Sequence, residues 1–276
     1  MITVQLLGGA CLRSGDVPLA GPPAQRHRIA LLTLIVAAWP RPLSRDRAMA
    51  LLWPERDVVH ARRLLNLAVH VLRSTLGEAA IISTGDGLVL DASRVSCDLH
   101  HFNAALAQGD HDRAAWLYTG PLLDGFHLGD AREFTYWLED HRRDVAHAYV
   151  SALLAIADRQ QRSGDLFGRV GTCRKLVAAD PYSTGHVLTL VQALNAMGDH
   201  VGARHYAIEH ARRLRADLDL DADPEIVHQL TDILARQADV ARRITIALET
   251  PPPGRGVQAP PTDYGDLSIA GSAKAT

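Results

Sequence analysis

Arg63, Asn66, His70 and Arg73 recur at intervals of three, four and three residues within ARRLLNLAVHVLRSTLG, residues 61–77, and Arg62 precedes them. On a helix these intervals place side chains on one face. Leu65, Val69, Leu72 and Leu76 fall between them at i, i+4, i+7 and i+11, an apolar stripe for burial on the opposite side. The polar face suits nucleic acid. Arginine pairs bidentately with guanine and asparagine with adenine, and an arginine near a helix end can hold a phosphate, which sets register without reading sequence. One surface arginine or histidine is ordinarily just solvated. It is the shared face, beside a buried stripe, that points to DNA.

Such a helix needs a frame. ITVQLL at 2–7 is a short apolar, β-branched run, followed by Gly8-Gly9 and then Ser14-Gly15-Asp16 as turn signals. Further short strands are predicted at 10–13 and 17–19, which together make a small antiparallel sheet. Pro22-Pro23 opens a helix with Ile29, Leu32 or Thr33, Val36 and Trp39 at helical spacing, and Pro40 and Pro42 close it. Ser44 is suited to cap a second helix, with Arg47 three residues on, and Pro54 stops that helix. Asp57 is suited to cap the third helix, and Gly77 to end it. IIS and LVL then flank Thr-Gly-Asp-Gly at 84–87, a hairpin. Strands, three helices and a closing hairpin make a winged helix-turn-helix, with the third helix in the major groove and the hairpin as wing. The candidate DNA-binding residues are Arg62, Arg63, Asn66, His70, Arg73 and Ser74 on the helix and Thr84 on the wing.

From Asp98 the chain reads as helix almost throughout. Asp98 is expected to cap a stretch through Leu106, and Gly109-Asp110 starts another. An irregular piece, GPLLDGFHLGD at 120–130, precedes a long amphipathic helix carrying Phe134, Trp137, Leu138, Val145, Tyr149, Ala152 and Ile156. Further helices fit 166–179, 183–197, 200–218 and 224–248. Ser163-Gly164-Asp165 and Met197-Gly198-Asp199 lie 34 residues apart, the period of tetratricopeptide repeats. Gly109-Asp110 stands one insertion earlier, and Asp180-Pro181 alone matches the closing proline, so the repeats are degenerate. The fold class is therefore mainly α: a winged helix at 1–96, an all-α TPR-like domain at 97–249, and a tail at 250–276 rich in Pro, Gly, Ala and Ser that is expected to be disordered.

Composition agrees with two domains for 276 residues. The net charge of −2 hides an asymmetry: residues 1–96 carry eleven Arg against seven acidic residues, and residues 97–250 carry sixteen bases against twenty-two acids. A mildly basic unit beside an acidic one suits a nucleic-acid-binding module joined to one that avoids nucleic acid. Cys11, Cys97 and Cys173 are isolated, with neither a disulfide framework nor a zinc pattern among them. The fourteen histidines, among them His100-His101 and the pair His141 and His147, lack the spacing of a metal site. No GxxxxGK[ST], GxGxxG, HExxH or GxSxG is present. An enzyme is not expected, nor is a cofactor or a metal. Without an apolar run of 18 residues or a basic leader, a cytoplasmic, nucleoid-associated protein is expected.

The sequence resembles the bacterial transcriptional activators that join an OmpR-type winged helix to a tetratricopeptide-type bacterial transcriptional activation domain, among them the antibiotic regulatory proteins of actinobacteria. The motifs that carry the resemblance are LLWPERD at 51–57, ARRLLNLAVHVLRSTLG at 61–77, CDLHHFNAALAQGD at 97–110 and GPLLDGFHLGDAREFTYWLEDHR at 120–142, and it covers about residues 1–235. It implies binding to double-stranded promoter DNA, often at direct repeats, by dimers or paired protomers. It implies recruitment of RNA polymerase through the loop Trp53–His60, with Trp53, Glu55, Arg56 and Asp57 as contacts. It assigns dimerisation, or reception of an effector or protein signal, to the helical domain. Val71 and Ser74 stand where the family often has basic residues, and Leu67 where a polar one is common. Leu67 could meet thymine methyls or pack on the helical domain. The rival reading is a protein–protein adaptor whose winged helix no longer binds DNA.

Overall fold

The computed structural model describes residues 2–242 apart from 16, 20, 22–24, 222, 229–230, 233–234, 236–238 and 240–241. The chain divides into a unit of residues 1–230 and a second of 231–276. The helix expected at 224–248 is described only in part, with 224–228 helical, and the opening Pro22-Pro23 and the tail 250–276 lie outside the described residues.

The first unit opens with β1 (Ile2–Gln5), β2 (Cys11–Ser14) and β3 (Val17–Pro18), close to the three short strands expected. β1 lies antiparallel to β2, pairing Val4 with Leu12. Its other edge is filled by a strand the sequence did not announce. β7 (Val95–Cys97) runs parallel to it, with Val4 opposite Cys97, giving the sheet order β3-β2-β1-β7. Parallel partners need a long crossover, and here the crossover is the whole helical part of the winged helix.

That crossover contains α1 (Arg26–Ala38), β4 (Leu43–Ser44), α2 (Arg45–Leu52), α3 (Val58–Leu76), β5 (Ile81–Thr84) and β6 (Gly87–Leu90). α1 buries Ala30 through Val36 without interruption, because α2, α3, the small sheet and a later helix surround it; a helix covered on all sides carries no apolar stripe. Trp39, expected on that stripe, is 44 % exposed beyond the helix end. Ser44 caps α2 by accepting from the Arg47 amide, and Asp57 caps α3 by accepting from the amides of Val59 and His60. The two-residue strand β4 joins the hairpin β5–β6 in the order β4-β6-β5, with Thr84 opposite Gly87 across the Gly85-Asp86 turn.

Helices follow: α4 (Asp98–Ala107), α5 (His111–Leu117), α6 (Arg132–Ser163), α7 (Leu166–Ala179), α8 (Thr184–Met197) and α9 (His200–Leu218). α6 packs on α7, α7 on α8 and α8 on α9. The joints that set the 34-residue spacing share one construction. Gly164 and Gly198 end their helices in the left-handed region, and Asp165 and Asp199 then cap the next helix on the amides of Gly168 and Gly202. Asp110 does the same for Arg113 at the start of α5.

The boundary expected at 96/97 falls inside a continuous core running from Val4 to Ala152. Asp98 does not cap α4 as expected. It is the first residue of that helix, and its carboxylate accepts from the amides of Leu6 and Leu7, each at 2.9 Å. Residues 6–8 otherwise pair with the irregular loop: the Leu123 amide donates to the Leu6 carbonyl (2.7 Å), and the Gly8 amide to that of Pro121 (3.0 Å). Arg142 of α6 secures this loop by donating to the carbonyls of Leu122 and Leu123.

Candidate nucleic-acid interface

α3 is two-faced, as its sequence dictates. Ala61, Leu65, Ala68, Val69, Leu72 and Leu76 are buried. Arg62, Arg63, Asn66, His70 and Ser74 are exposed on the other side. The side chains of Arg62, Arg63 and His70 have no hydrogen-bond or ion-pair partner among the described residues, so three groups that donate to phosphates or base edges are free on one surface.

Asn66 and Arg73 are placed differently from expectation. Arg73 is half-buried, and its guanidinium donates to the Ile81 carbonyl (2.8 Å) and the Ser83 hydroxyl (3.0 Å). It therefore ties α3 to the wing through two of its three guanidinium nitrogens. Arg45, in the first turn of α2, donates to Asn66 Oδ1 (3.0 Å) and to the same Ser83 hydroxyl (3.2 Å). Its backbone amide donates to the Asp86 carbonyl in the wing turn. Asn66 keeps its NH2 group to donate outward, with its oxygen already engaged. Sequence reasoning missed Arg45. The available signal was Arg-Asp-Arg directly after the Ser44 cap, which puts guanidinium groups at the start of the helix preceding α3.

Ser74 is exposed and its hydroxyl donates to the Val71 carbonyl; Thr84 is exposed at the end of β5. The wing from Ile81 to Leu90 holds no Lys or Arg, and its turn carries Asp86. Any grip of the wing on a phosphate backbone rests on its hydroxyls, its amides and the guanidinium groups braced behind it.

The α2–α3 loop also departs from expectation at one residue. Trp53 is buried, 8 % exposed, and its ring stacks on that of His27 with centroids 5.5 Å apart, so it belongs to the core and cannot serve as a surface contact. Glu55, Arg56 and Asp57 are exposed. The amide and ring of His60 hold the Asp57 carboxyl below its usual range, which keeps the cap of α3 ionised. Leu67, 52 % exposed, lines a cavity of about 360 Å³ with His27, Trp53, Arg56 and Asp130. It therefore faces the irregular loop that follows α5.

The sequence matches the bacterial transcriptional activator domain over residues 90–234, more than half of the chain. Among solved structures the chain is similar to Mycobacterium tuberculosis EmbR, determined in complex with a low-affinity phosphopeptide. The TM-score is 0.62 at 22 % identity, covering 90 % of this chain and 71 % of that one. No curated protein matches the chain. The likeness to EmbR speaks for the fold alone: an N-terminal module of small sheets and three helices, followed by a helical one. From the matched domain, which covers more than half of its length, the chain belongs to the bacterial transcriptional activator domain family.

Proposed function

We propose that the protein binds promoter DNA by laying the exposed face of α3 in the major groove and the β5–β6 hairpin against the neighbouring backbone. The observation that carries this reading is the trio Arg62, Arg63 and His70, unpartnered on a helix whose opposite face is wholly buried. Guanidinium groups displace counterions from phosphates, and a positioned arginine reads guanine. The brace from Arg45 and Arg73 to Ser83 holds helix and wing at one angle, so both can meet a duplex without reorganising. In this reading Glu55, Arg56 and Asp57 present the α2–α3 loop to RNA polymerase. The helical module that begins at residue 97 supports dimerisation or receives a protein signal, and the regulator works in the cytoplasm on the nucleoid.

A second reading, the protein–protein adaptor, draws on the uncharged-to-acidic wing and on exposed Leu67. Fluorescence anisotropy separates the two. Folded protein is titrated with DNA from its own upstream region and with scrambled DNA across a salt series. Tighter binding to the native fragment that weakens steeply with salt supports the promoter reading. No binding to either DNA at low salt supports the adaptor.

A further inference from the structure

Between α1, β4, α2 and α6 lies a cleft of about 320 Å³. Its apolar wall is formed by Leu34, Ala37, Ala38 and Leu43, with the indole of Trp137 facing them from α6. Arg41 and Arg47 stand at its mouth, both exposed, and neither guanidinium has a partner among the described residues. None of the lining residues is acidic. His141 also lines the cleft; its ring lies 4.1 Å from that of Trp137, and its Nδ1 meets the Trp137 carbonyl at 2.9 Å, fixing the aromatic wall in place. An apolar, partly aromatic cavity of this size with a few convergent polar groups is the usual form of a small-molecule site. Two unneutralised cations at its rim select the charge of what enters.

We propose that this cleft binds a small anionic molecule with an apolar body: a carboxylate or phosphate monoester whose head lies between Arg41 and Arg47 and whose body packs on Trp137. Guanidinium groups recognise both heads through paired N–H donors. The site has a route to the DNA-binding face. Ser44 and Arg47 line the cleft, and Arg45 between them braces Asn66 of α3 and Ser83 of the wing. A ligand joining α2 to α6 thus fixes the helical module against the element that orients α3. This coupling rests on the promoter reading; the binding itself does not.

The test is calorimetric titration of the full chain with 2-naphthoate, octanoate and phenyl phosphate, with 2-naphthamide as the uncharged counterpart. Saturable one-to-one binding of at least one anion is expected, with the amide much weaker. Arg41→Ala and Arg47→Ala each weaken binding about tenfold, the loss of one charge-assisted contact. Ala38→Trp, which fills the cleft and leaves both charges, abolishes it. Circular dichroism checks that the variants fold. Failure of all three anions to bind, or binding indifferent to both arginine substitutions, overturns the proposal. So does the result that the two variants weaken duplex DNA binding in a protein that binds no anion, which makes the arginines phosphate contacts of the DNA interface. A protein that binds an anion at these residues and no DNA leaves the site standing and refutes the promoter reading alone.

Discussion

Arg63 and Arg73 stand on the same side of α3, yet Arg63 projects without a partner while Arg73 spends its donors on the Ile81 carbonyl and the Ser83 hydroxyl. Their replacement should therefore read differently. Arg63→Ala is expected to weaken cognate DNA binding by about 1–3 kcal/mol and leave the melting temperature unchanged. Arg73→Ala is expected to lower the melting temperature as well, because the Ile81 carbonyl loses its side-chain donor and the Ser83 hydroxyl keeps only Arg45. Anisotropy and thermal melts on both variants check this. Asp98 sets a second case. Burial pushes its carboxyl above the usual range against the pull of the Leu7, Leu6 and Leu99 amides. Asp98→Ala strands the Leu6 and Leu7 amides and should cost about 3 kcal/mol in a urea titration. Two histidines give the pH dependence. Burial lowers the titration range of His100, which meets the Val36 carbonyl, and of His210, 2 % exposed beside Thr184 and the Pro181 carbonyl. A depressed folded-state value contributes stability that is present above the ordinary value near 6.5 and lost as pH falls through the folded one. Thermal stability should fall as pH drops below about 6.5, and His210→Gln should flatten that fall.

At the scale of elements, the 34-residue joint was legible because it is built from neighbours. A left-handed glycine, an aspartate cap and the third amide of the next helix all lie within a few residues of one another. The glycines at 168 and 202 complete it, since a Cβ there would meet the capping carboxylates of Asp165 and Asp199 at 2.1 and 2.4 Å. Asp165→Ala and Asp199→Ala should each destabilise by about 1 kcal/mol, and their effects should add in chemical denaturation. The caps Ser44, Asp57 and Asp110 and the Gly85-Asp86 hairpin were legible for the same reason. β4 and β7 were not. Two or three residues carry no period, and each strand exists only because a partner is there, Leu88 for Leu43 and Val4 for Cys97.

At the scale of the molecule, the winged helix and the first helices after it share one core. The loop 119–123 reaches back to residues 6–8, and Arg142 holds that loop on α6. A fragment ending at residue 96 loses Asp98, Leu122, Leu123 and Phe134 from this core, and should show no cooperative melt of its own by calorimetry, whereas the full chain should melt residues 1–230 as one cooperative block. The specific motif at 120–142 thereby acquires a structural reason: it is the clasp between the two modules.

The sequence by itself determined most of the described helices, the caps Ser44, Asp57 and Asp110, the hairpin and the two-faced character of α3, because periodicity and capping act between residues three or four apart. Only the tertiary structure decided what those faces meet. It turned Trp53 inward against His27, gave Arg73 and Asn66 to a brace with Arg45 and Ser83, sent Asp98 to amides 92 and 91 residues earlier, and opened the cleft between α2 and α6. Each of these depends on the direction in which distant elements pack and on buried polar groups finding partners there, and no spacing along the chain carries that direction.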